Sequence, residues 1–276
     1  MMLDGGRVLV TGGSMGIGLE VSRELARRGA RVIVAARGHA AIQDALSQLD
    51  GEGHEGLRLD VSDRAGWREA INAIDSSGPL HGLVAAAGEL GPIGSLEESD
   101  PNAFIATVEV NLIGTMLALH HALPRLKATR GRAVTFSGGG GTSPLPRYDA
   151  YAASKAAVVR LTENVAATAG VEVNCVAPGF VATRMHQETL RAGPDVAGAE
   201  YYERTRRQLA EGGLPATEAA ALVCFLLSDD ARGISGRLLS AQWDPWREDE
   251  FRARLRANKS LGTLRRIDDQ LFTRIQ

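Results

Sequence analysis

The sequence predicts an α/β fold: a single doubly wound parallel sheet with helices on both of its faces. Short apolar runs alternate with helical stretches along the whole chain. These runs are apolar at nearly every position, which indicates strands buried on both faces, as in parallel sheets. Parallel neighbours need helical crossovers, which are right-handed and place helices on the faces of the sheet. With 276 residues, the chain fits one domain of this kind over residues 1–276.

Seven strands are predicted, because seven short runs rich in valine, leucine and alanine end at turn-forming or polar residues. They cover residues 7–11, 31–36, 56–61, 82–88, 131–137, 171–177 and 236–241. Between them, apolar residues recur every three or four positions, as on one face of a helix. The predicted helices are 19–29, 40–50, 63–74, about 101–127, 150–169 and 217–229.

Two segments fall outside this alternation. Residues 180–213 are polar, and their arginines, with Arg147 nearby, could bind a phosphate or carboxylate or could simply be a solvated charged surface. Residues 244–276 form a C-terminal extension with a predicted helix at 246–257, whose first turn would contain Pro245. The extension is too apolar for a free tail, so we expect it to pack on the body or on a partner subunit. The apolar residues concerned are Trp243, which lies just before the extension, and Trp246, Phe251, Leu255, Leu261, Leu264 and Phe272 within it.

Charge and composition exclude several classes of function. The net charge is −2, so no overall field attracts nucleic acid or anionic lipid. No stretch of ~18 apolar residues suggests a membrane span, and the N-terminal residues lack the pattern of a signal peptide, which together predict a cytoplasmic protein. Cys175 and Cys224 lie in apolar runs, which predicts buried thiols and neither a disulfide nor a metal site. The expected partner is a small molecule.

A glycine-rich turn between the first strand and the first helix predicts a dinucleotide site. In the sequence TGGSMGIG, Gly12, Gly16 and Gly18 allow a tight turn and a close approach of the backbone to a pyrophosphate. The amide groups and the dipole at the helix N-terminus then face the anion. Ser14, Met15 and Ile17 belong to the same predicted site. The alternative is a glycine-rich turn without a ligand.

The end of the second strand indicates which dinucleotide is bound. An acidic residue there would accept a hydrogen bond from the ribose 2′-hydroxyl of NAD, but the sequence is Ala35–Ala36–Arg37. A guanidinium suits the 2′-phosphate of NADP, which is therefore the favoured cofactor, with NAD as the alternative. Arg37 could instead stack on the adenine or lie in solvent. Asp60 and Val61, at the end of the third strand, are predicted to hold the adenine.

Tyr151 and Lys155 are the candidate catalytic pair. They lie four residues apart near the start of a predicted helix, so their side chains share one face. An ammonium nearby favours the phenolate and is expected to lower the pKa of the tyrosine from ~10. Lysine occurs only three times against 28 arginines, and a retained lysine indicates a need for a compact ammonium with a tunable pKa.

Together these motifs resemble the short-chain dehydrogenase/reductase superfamily over residues 5–242. The resemblance rests on Thr11 to Gly18, Asp60, Asn111, the Tyr151–Lys155 pair, and Pro178, Gly179 and Thr183. It implies a Rossmann-type fold, a nicotinamide cofactor bound by Tyr151 and Lys155 among others, and a homodimer or homotetramer. It also implies that Asn111 links Lys155 to solvent through a water and that residues 180–213 cover the substrate. The loop with Pro178, Gly179, Val181 and Thr183 would contact the nicotinamide carboxamide.

Two positions depart from the family pattern. The N-N-A-G motif is replaced by Ala85–Ala86–Ala87–Gly88, of which Ala87 and Gly88 are still predicted to contact the cofactor. Where the family has a serine that hydrogen-bonds the reacting carbonyl, this chain has Gly138. Losing one such donor typically costs about 10²–10³ in rate. Thr142 or Ser143 is the candidate replacement. Otherwise the substrate supplies its own hydroxyl or needs no such donor, or the protein has left redox catalysis.

The predicted function is an NAD(P)-dependent oxidoreductase that moves a hydride between nicotinamide and a secondary alcohol or ketone. Tyr151 would transfer the proton, Lys155 would tune it, and Asn111 would complete the relay. The alternatives are a non-redox enzyme with bound cofactor, such as an epimerase or dehydratase, and a catalytically silent dinucleotide-binding protein.

Overall fold

Within the described part of the chain, seven parallel strands form one sheet in the order β3-β2-β1-β4-β5-β6-β7. The structure is a computed structural model that describes residues 3–265. Helices cover both faces of the sheet, and every neighbouring pair of strands is parallel, which confirms the predicted fold class. The strand order reverses between β1 and β4, and in such sheets ligands bind in the crevice at the carboxyl ends of the strands around this point.

The strands are β1 Arg7–Thr11, β2 Arg31–Ala36, β3 Glu55–Arg58, β4 Gly82–Ala85, β5 Arg132–Phe136, β6 Glu172–Ala177 and β7 Leu238–Ser240. The helices are α1 Gly16–Arg27, α2 His39–Leu46, α3 Arg64–Ser77, α4 Pro101–Val108, α5 Gly114–Thr129, α6 Asp149–Thr168, α7 Arg184–Ala197, α8 Ala199–Ala210, α9 Ala216–Leu227 and α10 Asp249–Ala257.

β3 and β4 end earlier than the sequence predicts. β3 lies at an edge of the sheet, and its only partner, β2, ends at Ala36, opposite Arg58. β4 pairs with β1 up to Thr11, where the glycine-rich turn begins. The predicted strand residues beyond these points, such as Asp60 and Gly88, are therefore free to line the crevice above the sheet.

The predicted helix at 101–127 is a continuous helix with a wider turn inside it. Between α4 and α5, residues Glu109–Ile113 form one turn of π-helix, which accommodates an extra residue and is frequent at functional sites. By length and composition alone, the 29-residue helix Pro101–Thr129 is apolar enough to cross a membrane, contrary to the expectation that no such stretch exists. Its buried residues Leu117, Leu119 and Leu126 pack in the core on one face of the sheet, so the helix serves here as a core helix.

The core consists of two layers, one on each face of the sheet. Val8 and Val10 of β1 point to one layer, which includes most of α9, and Leu9 points to the other, which includes α3 and α5. This alternation follows from the opposite directions of successive side chains in a strand. Cys175 and Cys224 are buried free thiols, as predicted.

The described part of the C-terminal extension packs on the body of the protein. α10 begins at Asp249 and not at residue 246, because Trp246 turns inward, is 4% exposed and lies 5.6 Å from the ring of Phe225. Trp243 is 77% exposed, contrary to the expectation that it packs. Residues Phe251, Leu255, Leu261 and Leu264 contact the core, whereas Phe272 lies outside the described residues.

The extension also covers the outer edge of β7. The outward backbone amide of Leu238 donates to the carbonyl of Gly262 at 2.7 Å, and that of Ser240 donates to the Asp244 carboxylate at 2.7 Å. Arg237, just before β7, is buried and donates to the carbonyls of Leu255 and Lys259. The chain after β7 is thus attached to the sheet by its own backbone.

Candidate active site

A groove of about 400 Å³ lies above the carboxyl ends of β1, β2 and β4. It brings together twelve residues that the sequence predicts as cofactor ligands. These are Gly12, Ser14, Met15, Gly16, Ile17, Gly18, Arg37, Asp60, Val61, Ala87, Gly88 and Thr183. The groove therefore lies at the reversal of strand order, where this fold class binds its ligands.

The glycine-rich turn has no room for side chains. Gly12 has φ of 68°, and a β-carbon on it would lie 2.7 Å from Cα of Ala87. A β-carbon on Gly18 would overlap the carbonyl oxygen of Gly12. The N-cap residue of α1, Met15, offers no side-chain hydrogen bond to the helix, and the first amide groups of a helix have no partner within it. An exposed helix N-terminus beside close-packed glycines fits the pyrophosphate of a dinucleotide.

The end of the groove that is predicted to hold the adenine carries the carboxylate of Asp60 and the guanidinium of Arg37, and Arg58 lies beside them in a neighbouring surface pocket. Asp60 accepts hydrogen bonds from the backbone amide and the hydroxyl of Ser62 at 3.0 and 2.7 Å. Partial burial raises the pKa of Asp60, but the bonds from Ser62 outweigh it and hold the pKa below its usual value, so the side chain is ionised at neutral pH. Arg37 is exposed, and Arg58 donates from Nε to its carbonyl at 3.3 Å.

Ten further residues of the groove wall were not predicted from the sequence as cofactor ligands. They are Ala35, Ala36, Gly38, Ala41, Leu59, Ala86, Glu89, Val110, Arg184 and Met185. Most of them directly flank predicted residues, so the ends of β2, β3 and β4 already indicated their position. Met185 carried no such signal, because only the fold places the start of α7 across the groove from β4.

Lys155 lies behind the wall of the groove. It is 5% exposed, and its Nζ donates to the carbonyl of Phe136 at 3.2 Å. A β-carbon on Gly88 would come within 3.4 Å of this nitrogen, so a single glycine separates the ammonium from the groove. Burial lowers the pKa of Lys155 to about 8, which leaves it charged at neutral pH but more easily deprotonated than a surface lysine.

Tyr151 lies against Gly138. A β-carbon on Gly138 would overlap the tyrosine hydroxyl oxygen and lie 3.0 Å from Cζ. The hydroxyl therefore takes up the space in which a serine side chain would begin. Burial raises the pKa of Tyr151, with a smaller contribution from Tyr201, and this is opposite to the expected lowering. The reason is that Nζ of Lys155 lies 5.7 Å from the centre of the ring, too far to offset desolvation of the phenolate.

Asn111 joins three parts of the site. It is fully buried in the π-helical turn, and its amide exchanges two hydrogen bonds of 2.9 Å with the backbone of Glu89. The amide also donates to Oγ of Ser154 at 3.0 Å, which in turn donates to the carbonyl of Tyr151. The side chain thus fixes the loop after β4 to the first turns of α6.

The two hydroxyls proposed to replace the missing serine lie on the surface. Thr142 and Ser143 are exposed on the glycine-rich loop, and no side-chain hydrogen bond involves either one within residues 3–265. Ser137 is buried, and its Oγ points under the loop, where a β-carbon on Gly141 would overlap it. The role of Thr142 at the carbonyl stays a prediction.

The loop after β6 reaches the groove only at its end. Pro178, Gly179 and Val181 are not in the groove wall; Val181 is buried and pairs with Leu214. Thr183 lines the groove and begins α7, where its hydroxyl and the ring of His186 form a reciprocal cap. Among residues 3–265, no group of three or more His, Cys, Asp or Glu side chains is placed to hold a metal ion.

A sequence profile described as short chain dehydrogenase matches residues 7–193. The chain is 35% identical over 238 residues to 2-(S)-hydroxypropyl-CoM dehydrogenase 3 of Xanthobacter autotrophicus, covering 83% of this chain and 92% of that one. It is 31% identical over 245 residues to 3-beta-hydroxysteroid dehydrogenase of Comamonas testosteroni, covering 87% and 95%.

Solved structures agree with these relatives. The structure of a variant actinorhodin polyketide ketoreductase with NADPH has a TM-score of 0.78 and 29% identity, covering 86% of this chain and 96% of that one. The structure of an NAD+-bound xylitol dehydrogenase, at 22% identity and a TM-score of 0.78, shows the same fold.

Proposed function

Because the chain belongs to the short chain dehydrogenase family of oxidoreductases, we propose that it reduces a small ketone to a secondary alcohol with NADPH, and catalyses the reverse reaction with NADP. The observation that carries this proposal is the position of Lys155, one turn of α6 from Tyr151 and separated from the groove only by Gly88. The Tyr151–Lys155 pair, which we propose transfers the proton, therefore lies next to the groove that we propose binds the dinucleotide.

A bound nicotinamide would supply the hydride for reduction or accept it in oxidation. Tyr151 has a raised pKa and is protonated at neutral pH, so its hydroxyl is ready to donate a proton to the carbonyl oxygen. Lys155 is cationic below about pH 8, and its charge stabilises the phenolate that the transfer leaves behind. In the reverse direction, the phenolate accepts the proton of the alcohol.

Asn111 acts by positioning in this proposal. Both amide hydrogens of its side chain donate within the protein, to Glu89 and Ser154, and its oxygen accepts from the amide of Glu89. The side chain therefore holds the helix with Tyr151 and Lys155 at a fixed distance from the loop that lines the groove. Its link to solvent through a water, which the family resemblance implies, stays a prediction.

The test of the mechanism is the substitution Tyr151→Phe. It removes the proton donor but keeps the ring, so we expect kcat for a reduced ketone to fall about 10²–10⁴-fold. The dissociation constant of NADPH, measured by fluorescence, should change less than twofold. Full activity in Tyr151→Phe would contradict the assignment of the proton donor.

NADP is preferred in this proposal because of Arg37. No carboxylate lies at the end of β2, and Arg58 adds a second guanidinium beside Arg37. Charge-assisted hydrogen bonds are worth about 1.5–3 kcal/mol, so Arg37→Asp should weaken NADPH binding about 10–100-fold and leave NADH binding equal or tighter. Arg31→Ala, at the opposite end of the same strand, is the control. Unchanged selectivity in Arg37→Asp would show that the arginine does not bind the phosphate.

Gly138 keeps a second function open, because the donor that family members place at the carbonyl is absent from that position. A non-redox enzyme with retained cofactor would convert substrate without net change in NADPH absorbance. A silent binding protein would bind NADPH and turn over no ketone. The same assay, followed by absorbance and by product analysis, separates the three functions.

We propose further that the protein acts in the cytoplasm as a homodimer or homotetramer. Supporting self-association, α4 presents Ile105, which is 56% exposed, next to half-buried Phe104 and Val108. Light scattering on the purified protein would give twice or four times the chain mass. A mass equal to one chain would contradict the proposed assembly.

A further inference from the structure

The first turn of α7 holds the hydroxyl of Thr183 from two directions. Thr183 lines the groove, and its Cγ2 lies 3.9 Å from the place where a β-carbon on Gly16 would be. Its Oγ1 accepts a hydrogen bond from the backbone amide of His186 and lies 3.2 Å from Nδ1 of the same residue. Thr183 is thus a residue of the groove wall whose polar atom is held by His186.

The ring of His186 accepts hydrogen bonds at Nδ1. The backbone amide of Thr183, which can only donate, lies 3.4 Å from Nδ1, so this nitrogen carries a lone pair. A neutral ring then has its hydrogen on Nε2. Burial favours the neutral form, because it lowers the pKa of His186 to about 4. At neutral pH the ring is therefore an acceptor toward Thr183.

The hydrogen of the Thr183 hydroxyl is consequently committed to His186. A hydroxyl has one hydrogen to donate and two lone pairs. Because Nδ1 has no hydrogen to give, the contact of 3.2 Å between Oγ1 and Nδ1 requires the hydroxyl to donate. One lone pair of Oγ1 accepts from the amide of His186. The oxygen can therefore accept one more hydrogen bond but cannot donate another.

Packing fixes the direction of the His186 ring. The residue is half-buried, and its ring centre lies 3.9 Å from that of Phe180, in the loop after β6. The carbonyl of Phe180 accepts in turn from the amide of Leu214 at 2.8 Å, which attaches this loop to the chain after α8. A capping box usually carries Glu or Gln where this chain has His186. The histidine closes the same cap without a carboxylate beside the groove.

An oxygen that can only accept discriminates among the groups of a dinucleotide. β6, whose loop leads to Thr183, lies on the opposite side of β1 from β2 and β3, whose ends are predicted to hold the adenine. Thr183 is thus placed toward the nicotinamide end. Pyrophosphate oxygens have no hydrogen to donate, and ribose hydroxyls can either donate or accept. The NH2 of the nicotinamide carboxamide can only donate, so it is the group that matches.

We propose that His186 is a positioning residue of the cofactor site: it takes the hydrogen of the Thr183 hydroxyl, so that Oγ1 accepts a hydrogen bond from the carboxamide NH2 of a nicotinamide. This inference rests on the proposed function and deepens it. The family resemblance implies that the loop contacts the carboxamide, and His186 sets the direction of that hydrogen bond. A held carboxamide limits the rotation of the ring, and the rate of a transfer step depends on such orientation.

The test compares NADP with its 3-acetylpyridine analogue, in which a methyl group replaces the NH2 of the carboxamide. Isothermal titration into the wild type should show at least about fivefold tighter binding of NADP, because the analogue leaves the acceptor without a donor. His186→Phe keeps a ring beside Phe180 but removes Nδ1, which frees the hydroxyl to donate to the acetyl carbonyl. The ratio of the two dissociation constants should then fall below twofold.

His186→Gln is the variant that should rescue the ratio. Its side-chain oxygen can accept at the same position of a capping box, so we expect most of the wild-type ratio to return. The proposal is overturned by a wild-type ratio below twofold or by an unchanged ratio in His186→Phe. A ratio in His186→Gln no higher than that in His186→Phe would overturn it as well.

A purely structural role of His186 predicts a different result. Loss of the cap alone would weaken both dinucleotides equally and leave their ratio at the wild-type value. Thr183→Val removes the hydroxyl but keeps the ring, and it should lower the ratio as far as His186→Phe does. The double variant should lose no more than either single one, whereas additive losses would contradict a shared hydrogen bond. His120→Phe, at an exposed histidine of α5, is the matched control and should keep the ratio.

The binding measurements also separate this inference from the proposed function. If His186→Phe loses the ratio but the wild type reduces no ketone with NADPH, the oxidoreductase mechanism fails and the role of His186 stands. If ketones are reduced and the ratio is the same in both proteins, the mechanism stands and the role of His186 fails.

Discussion

At the scale of single residues, Gly138 and Tyr151 form one unit. The family resemblance implies a serine where this chain has Gly138, and the tyrosine hydroxyl lies against that glycine, where a β-carbon would overlap it. The tyrosine hydroxyl therefore occupies the space in which a serine side chain at position 138 would begin. The sequence shows the loss of the serine, but only the structure shows that the tyrosine fills the space.

Gly138→Ala tests this pairing. The new methyl group would overlap the tyrosine hydroxyl, so the ring must shift by an ångström or so. Displacements of that size cost about 10²-fold in rate, and we expect kcat to fall by this factor with unchanged NADPH affinity. Gly138→Ser should lose less, because its hydroxyl supplies a donor to the carbonyl. Wild-type kcat in Gly138→Ala would show that the tyrosine does not work from its observed position.

At the scale of elements, three buried arginines begin strands and hold the ends of helices. Arg7 of β1 donates to the carbonyl of Ile74 in α3, and Arg132 of β5 donates to that of Leu227 in α9. Arg237, before β7, does the same for Leu255 in α10. Cations at helix C-termini satisfy the free carbonyls and oppose the negative end of the dipole. All three lie at the edge of the sheet opposite the groove.

Arg237→Ala should therefore loosen the C-terminal extension. It leaves the carbonyls of Leu255 and Lys259 without their donor, at a cost of about 1–3 kcal/mol. We expect a lower urea midpoint and faster hydrogen exchange of the α10 amides, with little change elsewhere. Arg254→Ala, an exposed arginine on the same helix, should have almost no effect. Equal behaviour of the two variants would show that the arginine does not anchor the extension.

The elements also show which parts of the fold the sequence predicts. Strands appear as apolar runs, since burial on both faces leaves a local pattern, and the glycine-rich turn marks one wall of the groove. The positions of Met185 and Tyr201 over Tyr151 leave no such pattern, because they depend on how α7 and α8 cross the sheet. The start of α10 was wrong by three residues because the burial of Trp246 is a tertiary contact.

At the scale of the whole molecule, the lysine that we propose to be catalytic lowers the stability of the fold. Lys155 has a folded-state pKa of about 8 against 10.5 for an ordinary lysine, because it is buried. The unfolded chain therefore binds more protons between these values, and stability rises with pH across that window. Below pH 8 both states are charged and the full penalty of about 3 kcal/mol applies.

Lys155→Met should consequently stabilise the protein at pH 7 while abolishing catalysis. Part of the gain is offset by the lost hydrogen bond to Phe136, so we expect about 1–2 kcal/mol from urea unfolding. The difference from the wild type should shrink steadily from pH 8 to pH 10. Lys127→Met, an exposed lysine on α5, serves as the control. A destabilised Lys155→Met protein at pH 7 would refute the argument.

The prediction that the pKa of Tyr151 is lowered was wrong for the same reason, which is burial in the folded protein. From sequence, the spacing of Tyr151 and Lys155 indicates mutual attraction, which lowers the pKa of a phenol. Burial of Tyr151 raises its pKa, and this effect prevails. Burial depends on how the sheet and the surrounding helices pack together. The chemistry of the pair therefore follows from the enclosure that surrounds it as much as from its spacing.

The hydrogen bonds of Leu238 to Gly262 and of Ser240 to Asp244 have a consequence for aggregation. An unprotected outer strand is a template on which another polypeptide can continue a sheet. Here both outward amides of β7 donate to residues that follow in the same chain. A strand from another molecule would have to displace these hydrogen bonds before it could pair with β7. Fibril-like stacking is blocked at this margin, and contacts between copies are left to the helices.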